Sequence, residues 1–138
     1  MPDWMTNRIL VVPLDMSEFS LKALATARDM VHDVSNIRIV HVLPPLDKPA
    51  RGSEYREEQA RAAMSAFVQE HGYPKMNITI LVGDPIKQII HFTENCEAGL
   101  IVMPSHGRGV LSEMILGSTT HNVVRRSACP VLVLKPNR

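Results

Sequence analysis

The chain has 138 residues, 45% of them apolar, with 15 Lys and Arg against 14 Asp and Glu and a net charge of +1. Residues 1–138 have the length of one ordinary domain and enough apolar side chains to bury a core. The balanced charge argues against binding nucleic acid or anionic lipid by bulk charge, and three Phe, two Tyr and one Trp are too few for base-stacking platforms.

Five runs rich in Ile, Val and Leu recur along the chain, at residues 9–12, 37–43, 78–82, 100–103 and 131–134. Continuous β-branched runs of this kind suit strands covered on both faces, as in a parallel sheet. The first run leads through Pro13-Leu14-Asp15 to Ser17, an N-cap for a helix to about residue 31 with Leu21, Leu24, Ala25 and Ala27 inward. After the second run, residues 44–52 read as a long loop, either a lid or a plain solvated connector. The next helix places Ala60, Ala63, Met64, Phe67 and Val68 at helical spacing. Glu54, Glu57 and Glu58 stand in its first turn, at the positive end of the dipole, and Gly72 suits its exit. Asp84-Pro85 follows the third run as an N-cap and a proline at the first helical position, opening a helix with Ile86, Ile89 and Ile90 inward. Beyond the fourth run, a segment from Pro104-Ser105-His106-Gly107-Arg108-Gly109 leads to Gly117-Ser118-Thr119-Thr120. Ser118 is the expected cap of the last helix, Arg125 and Arg126 suit its C-terminal end, and Cys129-Pro130 closes it. Strands alternating with helices through right-handed crossovers predict a three-layer α/β/α sandwich around a five-stranded parallel sheet.

Cys96 and Cys129 stand far apart without a CxxC spacing, as two thiols of a reducing compartment would. No basic start with an apolar stretch follows Met1, and no apolar run approaches the roughly 20 residues of a membrane span. The chain reads as soluble and cytoplasmic. Its six His lack HExxH or paired metal spacing, and most read as surface or helix residues, with His106 set inside the loop after the fourth run. No GxxxxGK[ST] or GxSxG motif is present.

Ligands of an open parallel sheet bind beyond the carboxyl ends of its strands. Gly107 lets the backbone turn with positive φ and lets a ligand approach it closely. Gly117 and Ser118 open the last helix, whose unpaired N–H groups favour an anion. A loop folding back between these points would wrap a phosphate chain in backbone donors, with hydroxyls from Ser118, Thr119 and Thr120. Asp15, at a neighbouring strand end, suits ribose hydroxyls. The outline is that of a nucleotide pocket.

The opening Ile9-Leu10-Val11-Val12-Pro13-Leu14-Asp15, the His41-Val42 pair, and Gly117-Ser118 through Pro130-Val131-Leu132-Val133 resemble a universal stress protein over essentially the whole chain. That family's ATP signature is Gly, two residues, Gly, nine residues, Gly, then Ser or Thr. This chain supplies Gly107, nine residues, Gly117 and Ser118, with Pro104 where the first glycine stands. Proline has no N–H and a fixed φ, so contacts needing a glycine conformation are lost, while one through its carbonyl survives.

The resemblance implies strand order 3-2-1-4-5 and a dimeric stress-response regulator holding ATP, alone or with Mg²⁺, beside Pro13. Asp15 would contact the ribose, and the Val42 backbone would meet the adenine. Met103 would lie near the base and Pro104 near the ribose, with Gly107, Gly117, Ser118 and Thr119 around the phosphates. Arg108, following Gly107, is a further candidate for a phosphate. Residues 131–135 would form an edge strand that pairs with a second copy. Two alternatives remain: a dimeric interaction module that has lost nucleotide binding, and a hydrolase of the related α/β superfamily. No strong general base is evident for a γ-phosphate, so hydrolysis would be slow.

Overall fold

The β-branched runs form five strands: β1 (Leu10–Pro13), β2 (Ile37–Leu43), β3 (Asn77–Val82), β4 (Leu100–Pro104) and β5 (Val131–Leu134). Four α-helices alternate with them: α1 (Glu18–Met30), α2 (Ser53–Glu70), α3 (Pro85–Asn95) and α4 (Ser118–Arg126). The computed structural model describes residues 8–46, 52–105 and 116–135. His106, Gly107, Arg108 and most of the 44–52 loop therefore lie wholly or partly outside the described residues.

The strands pair in the order β3-β2-β1-β4-β5, all parallel. Successive side chains on a strand point to opposite faces, so each strand feeds two layers. Leu10 and Val12, Ile37 and Ile39, Ile78 and Ile80, and Leu100 and Val102 pack against Ala23, Leu24 and Ala27 of α1 and Met64 and Val68 of α2. Val11, Val40, Ile101 and Met103 face the other way, onto Ile89 of α3 and Val123 of α4. These two apolar layers are the α/β/α sandwich expected from the alternation of elements.

Local capping chemistry sets the helix starts. The Ser17 side chain accepts from the Ser20 N–H at the head of α1, and Asp84 does the same for the Lys87 N–H ahead of Pro85 in α3. Gly72, with φ of +87°, turns the chain out of α2 in a conformation that L side chains resist. Other details differ from expectation. Ala25 and Ala63 face solvent, because Ser20 and Ala23 centre the inner stripe of α1 and only Met64 and Val68 of α2 are fully buried. Glu54 alone of the three glutamates falls in the first turn of α2. Helix α4 stops at Arg126, three residues before Cys129.

Cys96 and Cys129 are free and partly buried. Burial pushes the Cys96 thiol up from its ordinary value, which keeps it as the poorly nucleophilic thiol. Among the described residues, no helix is long and apolar enough to cross a membrane.

What positions the site is the parting of β1 from β4. These strands pair only at Leu10–Leu100 and Val11–Ile101, whereas β1 and β2 stay paired as far as Pro13 and Val40. The connection from β1 runs to β2 on one side and that from β4 runs to β5 on the other. Crossovers leaving in opposite directions open a crevice above the strand ends.

Candidate functional site

The crevice holds a cavity of about 320 Å³, within the size range of small-ligand sites. Pro13, Leu14 and Asp15 line it from the end of β1, and Val40, His41 and Val42 from β2. Met103 and Pro104 of β4 and the Gly117–Thr120 stretch (residues 117–120) close the opposite wall, with Ser20 of α1 and Pro85 and Ile89 of α3 completing it. The structure thus gathers Pro13, Asp15, Val42, Met103, Pro104, Gly117, Ser118, Thr119 and Thr120 around one space. Gly107 and Arg108 lie outside the described residues.

Asp15 is presented by a tight turn between β1 and α1. Its Oδ1 accepts from the Ser17 N–H at 3.0 Å and from the Ser17 hydroxyl at 2.6 Å. A side chain accepting from the backbone two residues on is the turn chemistry for which Asp is favoured. The residue between them, Met16, takes φ of +67°. Ser17 then caps α1, so one short segment both ends the strand and starts the helix.

The facing wall is built on Pro104 and α4. Proline is tolerated at the tip of β4 because the ladder does not need its N–H. On either side of it, Ile101 donates to the Pro130 carbonyl and Ser105, just past β4, to the Leu134 carbonyl, while pairing with β1 has ended at Ile101. The buried Pro104 carbonyl accepts from Thr120 Oγ1 at 2.8 Å. That bond uses the single proton of the Thr120 hydroxyl, which therefore braces β4 against α4 instead of donating to a ligand. Thr120→Val is expected to cost about 1–3 kcal/mol of stability, since it strands a buried carbonyl. A lower urea midpoint at unchanged slope would show it.

At α4 the cap is Gly117, one residue before the expected Ser118. Gly117 donates to the Ser105 carbonyl at 2.7 Å, tying the helix start to the end of β4. Its φ of −61° and ψ of 151° are open to any residue, so the turn itself does not demand glycine here. The first helical bond runs from the His121 N–H to the Gly117 carbonyl. The N–H groups of Ser118, Thr119 and Thr120 therefore have no acceptor within the helix, and they stand at its positive end beside the cavity.

Apolar surface from Val40, Ile89 and Met103 lies beside this polar rim, with Asp15 and His41 as the titratable side chains among the described lining residues. A flat apolar group fits the first part and an anion the second. Ser20 and Ile89 carry no motif in the sequence, while His41 and Pro85 stand in the His41-Val42 pair and the Asp84-Pro85 helix start without themselves marking the site. His41 enters the wall because an odd position near the top of β2 faces the same layer as Leu14.

The universal stress protein family model matches residues 5–135. The chain belongs to the universal stress protein family. Universal stress protein MJ0531 of Methanocaldococcus jannaschii is 33% identical, over 91% of this chain and 81% of its own. The solved structure of MJ0577 from the same organism superposes with a TM-score of 0.74 at 28% identity, covering 96% of this chain and 99% of that one. A universal stress protein solved in complex with cAMP has a TM-score of 0.69 at 23% identity, over 92% and 96% of the two chains. The strand order of this universal stress protein, implied by resemblance alone in its sequence, is the order observed.

Proposed function

We propose that this universal stress protein binds an adenine nucleotide, ATP, in the crevice beyond β1 and β4, and that the bound state regulates its associations. The observation that carries the reading is the shared cavity: Asp15 and the open amides of α4 face one space beside an apolar wall. The Val42 backbone would meet the adenine, Met103 would pack near it, and Pro13 would close its edge. Asp15 would accept from the ribose near Pro104, while Gly117, Ser118 and Thr119 hold phosphate oxygens by their backbone. Gly107 and Arg108 are proposed for the same phosphates from the family signature. Thr120 contributes its backbone and the brace to Pro104. Mg²⁺ would enter on the triphosphate's own oxygens; among the described residues no cluster of three His, Cys, Asp or Glu is present. That a universal stress protein of this fold holds cAMP supports the ligand class. On this reading the protein acts in the cytoplasm, where ATP is abundant, as one domain.

Titration calorimetry with ATP and AMP tests the reading, together with a native mass spectrum of protein purified without added ligand. ATP at about 100 times its Kd should raise stability by about 2.7 kcal/mol, seen as a higher Tm. The competing reading, an interaction module without nucleotide, is favoured by Pro104 in the place of a glycine with its carbonyl already bonded to Thr120. It prevails if millimolar ATP neither binds nor shifts Tm.

A dimer is proposed through β5. This strand ends the sheet, and Val131, Leu132, Val133 and Leu134 are all only half-buried. An apolar edge with an open row of backbone groups favours pairing with its twofold mate. Val133→Lys is expected to halve the mass measured by light scattering, and a parent that already runs as one chain would refute the dimer.

A further inference from the structure

Leu14, the residue before Asp15, is held to β2 by both of its backbone groups. Its N–H donates to the Val40 carbonyl at 2.9 Å, and its carbonyl accepts from His41 Nδ1 at 2.7 Å. A carbonyl oxygen only accepts, so Nδ1 carries the proton. Immediately downstream, Met16 takes φ of +67°, a left-handed conformation that L side chains resist. Such a residue persists only where its flanks over-determine it. One flank is Ser17, bonded to Asp15 Oδ1 and capping α1. The other is Leu14, and His41 supplies the side-chain half of its anchorage.

We infer that His41 is a positioning residue of the nucleotide site: its Nδ1–H bond to the Leu14 carbonyl holds the β1–α1 turn so that the Asp15 carboxylate lines the crevice. This rests on the crevice being the nucleotide site. The ring also lines the cavity, so a direct bond from Nε2 to the ligand is the rival role. The two roles use different nitrogens and can be separated by substitution. His41→Asn keeps a nitrogen donor on Cγ, where Nδ1 stands. His41→Gln carries it one bond farther out, toward the place of Nε2. His41→Leu removes it.

The readouts are the Kd for ATP by calorimetry and amide hydrogen exchange at Leu14 and Ser17 in ligand-free protein. His41→Leu and His41→Gln should each weaken ATP about tenfold and speed exchange at both amides by about tenfold, the worth of one such hydrogen bond. Exchange at Ile89 in α3 should stay unchanged, and His41→Asn should remain within about threefold of the parent in both readouts. Should His41→Leu fail to fold, His41→Gln serves as the variant with the donor displaced. The inference is overturned if His41→Asn behaves like His41→Leu, or if His41→Gln alone keeps ATP affinity, which would make the contact direct. A parent that binds no ATP refutes the nucleotide reading instead, while exchange in the same variants still decides whether His41 holds the turn.

Discussion

Asp15→Ala is expected to weaken ATP binding by about 2–3 kcal/mol, roughly 30- to 150-fold in Kd, the worth of hydrogen bonds to a charged acceptor. The substitution acts twice. It removes the acceptor proposed for the ribose, and it removes the oxygen that receives both the Ser17 N–H and the Ser17 hydroxyl. Asp15→Asn separates the two effects, because its amide oxygen can still receive Ser17 while the charge is gone. Its Tm should match the parent while its Kd for ATP rises by about tenfold. Equal ATP affinity in the parent and in Asp15→Ala, by calorimetry at one salt concentration, would remove Asp15 from the site.

Ile39→Ala should cost about 2–5 kcal/mol of folding stability, a large share of the 5–15 kcal/mol typical of a domain. Ile39 is fully buried on β2, in the layer that includes Leu24 of α1 and Met64 of α2. Truncation leaves a cavity between a sheet and two helices that cannot collapse independently. It also replaces a β-branched residue, suited to a strand flanked on both sides, by one that is not. A fall in Tm of about 10 °C is the expected readout. A change below 1 kcal/mol in urea unfolding would mean that this layer is far looser than its burial indicates.

Local chemistry was legible in the sequence wherever neighbouring residues decide the outcome. Ser17 before α1, Asp84-Pro85 before α3 and Gly72 after α2 do what their side chains and φ preferences require. The β-branched runs became strands within one residue of their expected ends. The spacing of Gly117-Ser118 pointed to a helix start at the crevice, although the cap is the glycine. Asp15 was legible as a candidate because it follows a strand end. Helical spacing identifies inner stripes but not their centres, so Ala25 and Ala63, expected inward, face solvent.

Sequence alone therefore determined the α/β alternation, the capped helix starts and the family likeness, since each depends on residues close together in the chain or on a shared pattern. Periodicity could not say that β1 lies beside β4; that order was legible only through the likeness. Tertiary structure decided which distant groups meet: Thr120 with the Pro104 carbonyl, His41 with the Leu14 carbonyl, and Ser20 and Ile89 in a wall with Asp15. Those contacts follow from strand order, register and helix placement, and so are written in no single stretch of chain.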